Sequence, residues 1–216
     1  MATVTASTLG ALWLHSMCGL SLVAAFWIAH EFFAVNLISD ADTTLLILWM
    51  VECPIVILHY GVFRQNPAKC SYLKAVGRGL LGLLAGMLLI ALGAITLGAP
   101  VSLKYLPRTL HWSLLMSLFT FTPAAAVYGS SWGDWQRIFA KTRPDGPVDY
   151  MVCFPAHGAI LGSWFGAWPM PLDWERPWQE WPVCVTYGAL VGYAIGMVTS
   201  FLFILLSRRQ QHIKEA

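Results

Sequence analysis

The chain has 216 residues, of which 57% are hydrophobic and only 11% charged, with a formal net charge of +2 at neutral pH. A soluble domain carries about a quarter charged residues, so the composition excludes an ordinary globular domain and indicates an all-α, polytopic membrane protein. The small charge, with no lysine and arginine run interleaved with aromatics, gives nothing that would hold nucleic acid.

Six apolar stretches approach the roughly 20 residues that a membrane-crossing helix needs, and they predict a single transmembrane helical domain over residues 1–216. The first covers about residues 9–29 and continues weakly to Ile38, longer than the core of a cleaved signal peptide, so it reads as a retained helix. The second, at about 44–63, contains Glu52 just before Pro54. A carboxyl at membrane depth is costly and suggests function by default. Glu52 can take up a proton, pair with His59 two turns along, or bond a neighbouring helix or backbone freed by the proline. The third, at about 79–97, carries Gly79, Gly82, Gly86 and Gly93. The fourth, at about 109–128, contains Pro123, which predicts a kink with Thr120 and Thr122 bonding the loosened carbonyls.

A turn-rich loop is predicted over about residues 129–149, and the fifth and sixth helices then cover about 150–168 and 183–206. These two carry glycines at every fourth position: Gly158, Gly162 and Gly166 on one, Gly188, Gly192 and Gly196 on the other. Each triplet makes a smooth groove; the favoured reading is that helices five and six pack on each other as an antiparallel hairpin, and the alternative is that a partner's helix or a lipid chain fills at least one groove. His15, His111 and His157 read as packing residues, and the scattered Cys18, Cys53, Cys70, Cys153 and Cys184 lack metal-ligand spacing. Ten of the thirteen lysines and arginines fall in the loop between helices two and three, the loop between four and five, and the C-terminal tail. Positive charge collects on the cytoplasmic side, so both termini are expected there.

The stretch PMPLDWERPWQEWP, between helices five and six, is the polar exception. Pro169 ends helix five, Pro182 suits the start of helix six, and Asp173 is a candidate N-cap. On a helix, Trp174, Trp178 and Trp181 share one face and Glu175, Arg176, Gln179 and Glu180 the other, which predicts a short interfacial helix. Trp and Arg are also enriched at binding hot spots.

This stretch resembles the C-terminal signature of the phosphatidylinositol-glycan anchor biosynthesis class F family: Leu-Asp-Trp, an acid, Arg-Pro-Trp-Gln, any residue, Trp-Pro, then a glycine-rich last helix. Residues 172–182 follow that order without a gap, and LGAP at 97–100 resembles a second short motif. The resemblance implies a non-catalytic endoplasmic-reticulum subunit of glycosylphosphatidylinositol (GPI) ethanolamine-phosphate transferases. In that family the large class O and class G partners, acting on the third and second mannose, carry the catalysis. It makes Asp173, Trp174, Glu175, Arg176, Pro177, Trp178, Gln179, Trp181 and Pro182 the candidate partner-binding residues. Membrane lipid and the GPI precursor are further candidate ligands, and no cofactor or metal is implied.

The residues agree with a non-catalytic role. Phosphoethanolamine transfer typically uses two metals held by carboxylates and histidines, whereas the lumenal acids Glu31, Asp40, Asp42, Asp173, Glu175 and Glu180 form no recognised ligand spacing. Two alternatives stay open: a lipid-headgroup enzyme built on this acidic rim, and a lipid or proton translocator using Glu52.

Overall fold

A computed structural model describes residues 8–215, with side chains as far as residue 210; the side chain of Lys214 lies outside the described residues. The chain opens with α1 (Thr8–Phe33). Asp40 then caps α2 (Ala41–Val62), accepting from the Thr43 amide at 3.2 Å, and Ser71 caps α3 (Tyr72–Thr96), accepting from the Lys74 amide at 3.3 Å. Prolines in the first turn start α4 (Leu106–Phe119) and, after α5 (Phe121–Tyr128) and the short α6 (Trp132–Trp135), also α7 (Pro147–Ala167). The last helix is α8 (Val183–Glu215).

Four helices, α1, α2, α3 and α8, are long and apolar enough to cross a membrane. α4 and α5 meet at a 42° bend and make a fifth if they form one span. The hydropathy runs predict six. The remaining helix, α7, has 21 residues, but Asp149, His157 and two prolines dilute its apolar character, so its length qualifies and its composition does not. α3 turns Leu81, Leu84, Leu88 and Leu92 outward, as a lipid-facing helix does.

The bend between α4 and α5 follows from Pro123, whose ring clashes with the carbonyl four residues back, at Phe119. Thr120 Oγ1 donates to the Met116 carbonyl at 2.8 Å, whereas Thr122 Oγ1 is buried without a partner, so only one threonine takes up the predicted task. On the facing helix, Gly82 and Gly86 leave room for this bend. A Cβ at Gly86 would lie 2.6 Å from Phe121 Cβ.

α7 and α8 form the most extensive pairing of the fold, and their two glycine rows face each other. A Cβ at Gly192 would lie 2.8 Å from the carbonyl carbon of Gly158 and 3.0 Å from Gly162 Cα; one at Gly166 would lie 3.0 Å from Val185 Cα, and one at Gly196 2.6 Å from Pro155 Cα. All of these are backbone atoms, which cannot swing aside. The grooves are therefore filled by each other, and neither is open to a lipid chain or a partner's helix. Phe119 stacks on Tyr193 at 4.1 Å, and Tyr60 donates its hydroxyl to the Met151 carbonyl at 2.8 Å, tying the hairpin to α4 and α2.

Residues 129–149 are more ordered than their turn-rich composition predicts. After α6 the chain makes a π-helical turn, Gln136–Ala140, which stacks Phe139 on Phe121 and on Trp135, with the Trp135 ring tilted against Phe121. Arg137 sits among Asp134, Asp145 and the buried Asp149, and the Tyr128 hydroxyl donates to Asp149 at 2.7 Å. Removing the cation would strand a buried carboxylate, so Arg137→Ala is expected to cost about 3 kcal/mol. Thermal unfolding in detergent measures this; an unchanged midpoint would show that Asp149 needs no counter-ion.

Candidate functional site

The signature loop is closed by its own side chains. Arg176 precedes Pro177 and is held extended at φ −95°, ψ 136°, while Glu175 takes a left-handed φ of 49°. These two residues rule out a continuous helix, so the predicted interfacial helix reduces to a three-residue turn, Pro177–Gln179, and Asp173 caps nothing. Gln179 is the hub. Its Oε1 accepts from the Arg176 amide at 2.9 Å, and its Nε2 donates to the carbonyls of Pro169 at 2.6 Å and Leu172 at 2.8 Å.

Glu180 and Trp181 then point inward and fasten the loop to the start of α4. Glu180 Oε1 accepts from Arg108 Nη1 at 2.9 Å, the Tyr105 hydroxyl at 3.1 Å and Lys104 Nζ at 3.5 Å. Trp181, only 8% exposed, donates Nε1 to Thr109 Oγ1 at 2.9 Å and packs edge-on against Trp112 at 5.1 Å. Pro182 is buried behind it. The three tryptophans therefore do not share a face: Trp181 is core, Trp178 is half-buried, and Trp174 is 55% exposed with its ring 6.0 Å from that of Trp178. Asp173, Glu175, Arg176 and Pro177 are exposed beside it. The ten residues from Asp173 to Pro182 thus divide into an outward rim, Asp173 to Pro177, the half-buried Trp178, and an inward latch, Gln179 to Pro182. Sequence reasoning missed the latch partners Tyr105, Arg108 and Thr109, which lie more than 70 positions away.

The acids at this end do not converge. Asp40 caps α2, Asp42 bonds His111 at 2.8 Å, Glu31 lies beside His30, and Glu180 belongs to the latch. Among the described residues no group of three or more His, Cys, Asp or Glu side chains could hold a metal ion.

A family model described as "GPI biosynthesis protein family Pig-F" matches residues 20–201, from the middle of α1 through the loop and most of α8. The chain belongs to the Pig-F family. Two curated Pig-F relatives bear the name "GPI ethanolamine phosphate transferase, stabilizing subunit". The mouse protein is 30% identical and the human one 28%, each over 205 residues that cover 92% of this chain and 93% of the relative. A protein of Pyricularia oryzae, named "Glycosylphosphatidylinositol anchor biosynthesis protein 11", is 43% identical over 46% of this chain and 36% of its own length. No solved structure matches.

Within this Pig-F chain, Glu52 lies fully buried and accepts a hydrogen bond from Ser21 Oγ of α1, while its other oxygen has no partner. His59 is not bonded to it; the His59 Nδ1 instead bonds the Ile55 carbonyl at 2.8 Å. Of the readings open at the sequence level, the geometry displays a bond to a neighbouring helix.

The latch carries its own pH signature. Partial burial works to raise the Glu180 carboxyl, but hydrogen bonds from Tyr105 and Arg108, with the charges of Arg108 and Lys104, outweigh it and hold the group below the ordinary carboxylate value. A depressed folded value adds stability above the unfolded one, and this is lost as pH falls through the folded one. Acidification from about pH 5 to about pH 2, below the ordinary carboxylate value, is therefore expected to loosen the loop, read as rising tryptophan accessibility to a soluble quencher. Glu180→Gln should already be loose at neutral pH and lose part of that acid response; an identical pH profile in both proteins would refute the latch.

Proposed function

We propose that this Pig-F chain is the non-catalytic, stabilising subunit of a GPI ethanolamine-phosphate transferase in the endoplasmic-reticulum membrane. The observation that carries this reading is the mouse stabilising subunit's alignment over nearly the whole of both chains, with the signature loop inside the aligned family region. α7 completes six crossings with both termini in the cytosol, which ten of thirteen basic residues on one side support. The rim from Asp173 to Pro177, with Trp174 at its centre, docks a lumenal surface of the large catalytic partner of class O or class G. An exposed tryptophan between two carboxylates and a guanidinium, on a loop stiffened by prolines and Gln179, presents a preorganised contact that loses little entropy on binding. The latch residues act indirectly, by holding that rim still.

The test is affinity purification of the transferase with the Trp174→Ala/Trp178→Ala variant of this chain. Recovery of the transferase is expected to fall while the variant stays in the membrane at its normal level. Undiminished recovery would remove the rim from the interface.

A further inference from the structure

Two arginines at the other end of the bundle meet no carboxylate among the described residues. Arg64 and Arg78 lie on either side of Cys70, where α2 hands over to α3. Arg64 donates Nε to the Cys70 carbonyl at 2.7 Å and Nη1 to the Gly61 carbonyl at 3.3 Å, with its guanidinium 5.9 Å above the Tyr72 ring. Arg78 Nη1 lies 3.4 Å from Cys70 Sγ, and its head group occupies the space a side chain at Gly129 would need, 2.7 Å from Cζ to an added Cβ. Gly129 has φ 59° and ψ −125°, a backbone conformation open to glycine and rarely to other residues. The seat of Arg78 therefore depends on that glycine twice, for its backbone and for its missing side chain.

Both arginines are half-buried, and among the described residues neither meets a carboxylate within ion-pair distance. Arg108 and Arg137 do. A partly desolvated cation held only by neutral acceptors calls for an external anion. Two guanidinium groups held on one residue, Cys70, can offer their remaining N–H donors to the oxygens of a phosphate. At the ends of membrane helices, the phosphate at hand is that of the lipid headgroups.

We propose that Arg64 and Arg78 clamp the phosphate of an anionic phospholipid, with exposed Lys74 in the first turn of α3 adding charge. The site depends on the membrane reading of α2 and α3; the proposed orientation only names its leaflet as cytosolic. It involves no transferase, so it can fail while the subunit reading stands.

Native mass spectrometry of the full chain, purified in mild detergent, tests the clamp. The wild type is expected to retain an anionic phospholipid, and Arg64→Gln/Arg78→Gln to lose it by at least about tenfold. The charge-matched Lys141→Gln/Arg143→Gln, on exposed residues of another loop, is expected to retain it. Equal loss in both variants, or a wild type carrying no anionic phospholipid, would overturn the proposal. Should the arginine variant not fold, the wild-type chain decides alone. Phosphatidylserine is expected to raise its thermal midpoint, whereas phosphatidylcholine and inorganic phosphate do not; an equal rise with either would overturn the headgroup assignment.

Discussion

Gly192→Ala is expected to destabilise the protein by about 3 kcal/mol, the upper end for one methyl group forced into a packed contact. The added carbon would overlap the Gly158 carbonyl and crowd Gly162 Cα, and both belong to a helix backbone that can yield only by moving as a body. Gly93→Ala is the matched control, since nothing lies within 4 Å of its added carbon. There, alanine's helix preference should stabilise by about 0.5–1 kcal/mol. Thermal midpoints in the same detergent compare the two, and equal midpoints would mean that α7 and α8 do not pack through their glycines. The loop joins these two helices, so Gly192→Ala should also reduce transferase recovery.

Trp181→Ala is the second large effect, an expected loss of about 3–5 kcal/mol. It would empty a buried site beside Trp112 and leave Thr109 Oγ1 without the indole donor. Trp174→Ala, seven residues earlier in the same motif, should change stability by no more than about 0.5 kcal/mol, because the side chain is mostly solvent- or headgroup-facing. Its effect should instead fall on partner binding, by about 2 kcal/mol if it is a hot spot. The crossed pattern is the point. Two tryptophans of one motif that lowered stability equally would contradict the division into rim and latch.

The helical class and the family were both legible in the residues, the first from long apolar runs and the second from an unbroken run of rare residues. Pairing was legible only in part. Matched glycine rows on successive helices favour their packing on each other as a hairpin, with a lipid chain or a partner's helix as the alternative, and the rows face each other. Glu180 with Arg108, and Glu52 with Ser21, were not legible, because they join residues that only the folded bundle brings together. The loop was misread for a different reason: the four- and three-residue spacing of its tryptophans imitates a helix. The contrary signal was present in Arg176-Pro177, since the residue before a proline avoids helical backbone angles. That dipeptide confines the helix to the turn that follows it.

The most direct measurement is to purify this chain from its native membrane in mild detergent and identify by mass spectrometry what accompanies it. The subunit reading predicts a large membrane protein with a phosphoethanolamine-transferase domain, in equal amount, lost on Trp174→Ala/Trp178→Ala. A chain recovered alone, folded and monodisperse, with the transferase stable in its absence, would contradict it.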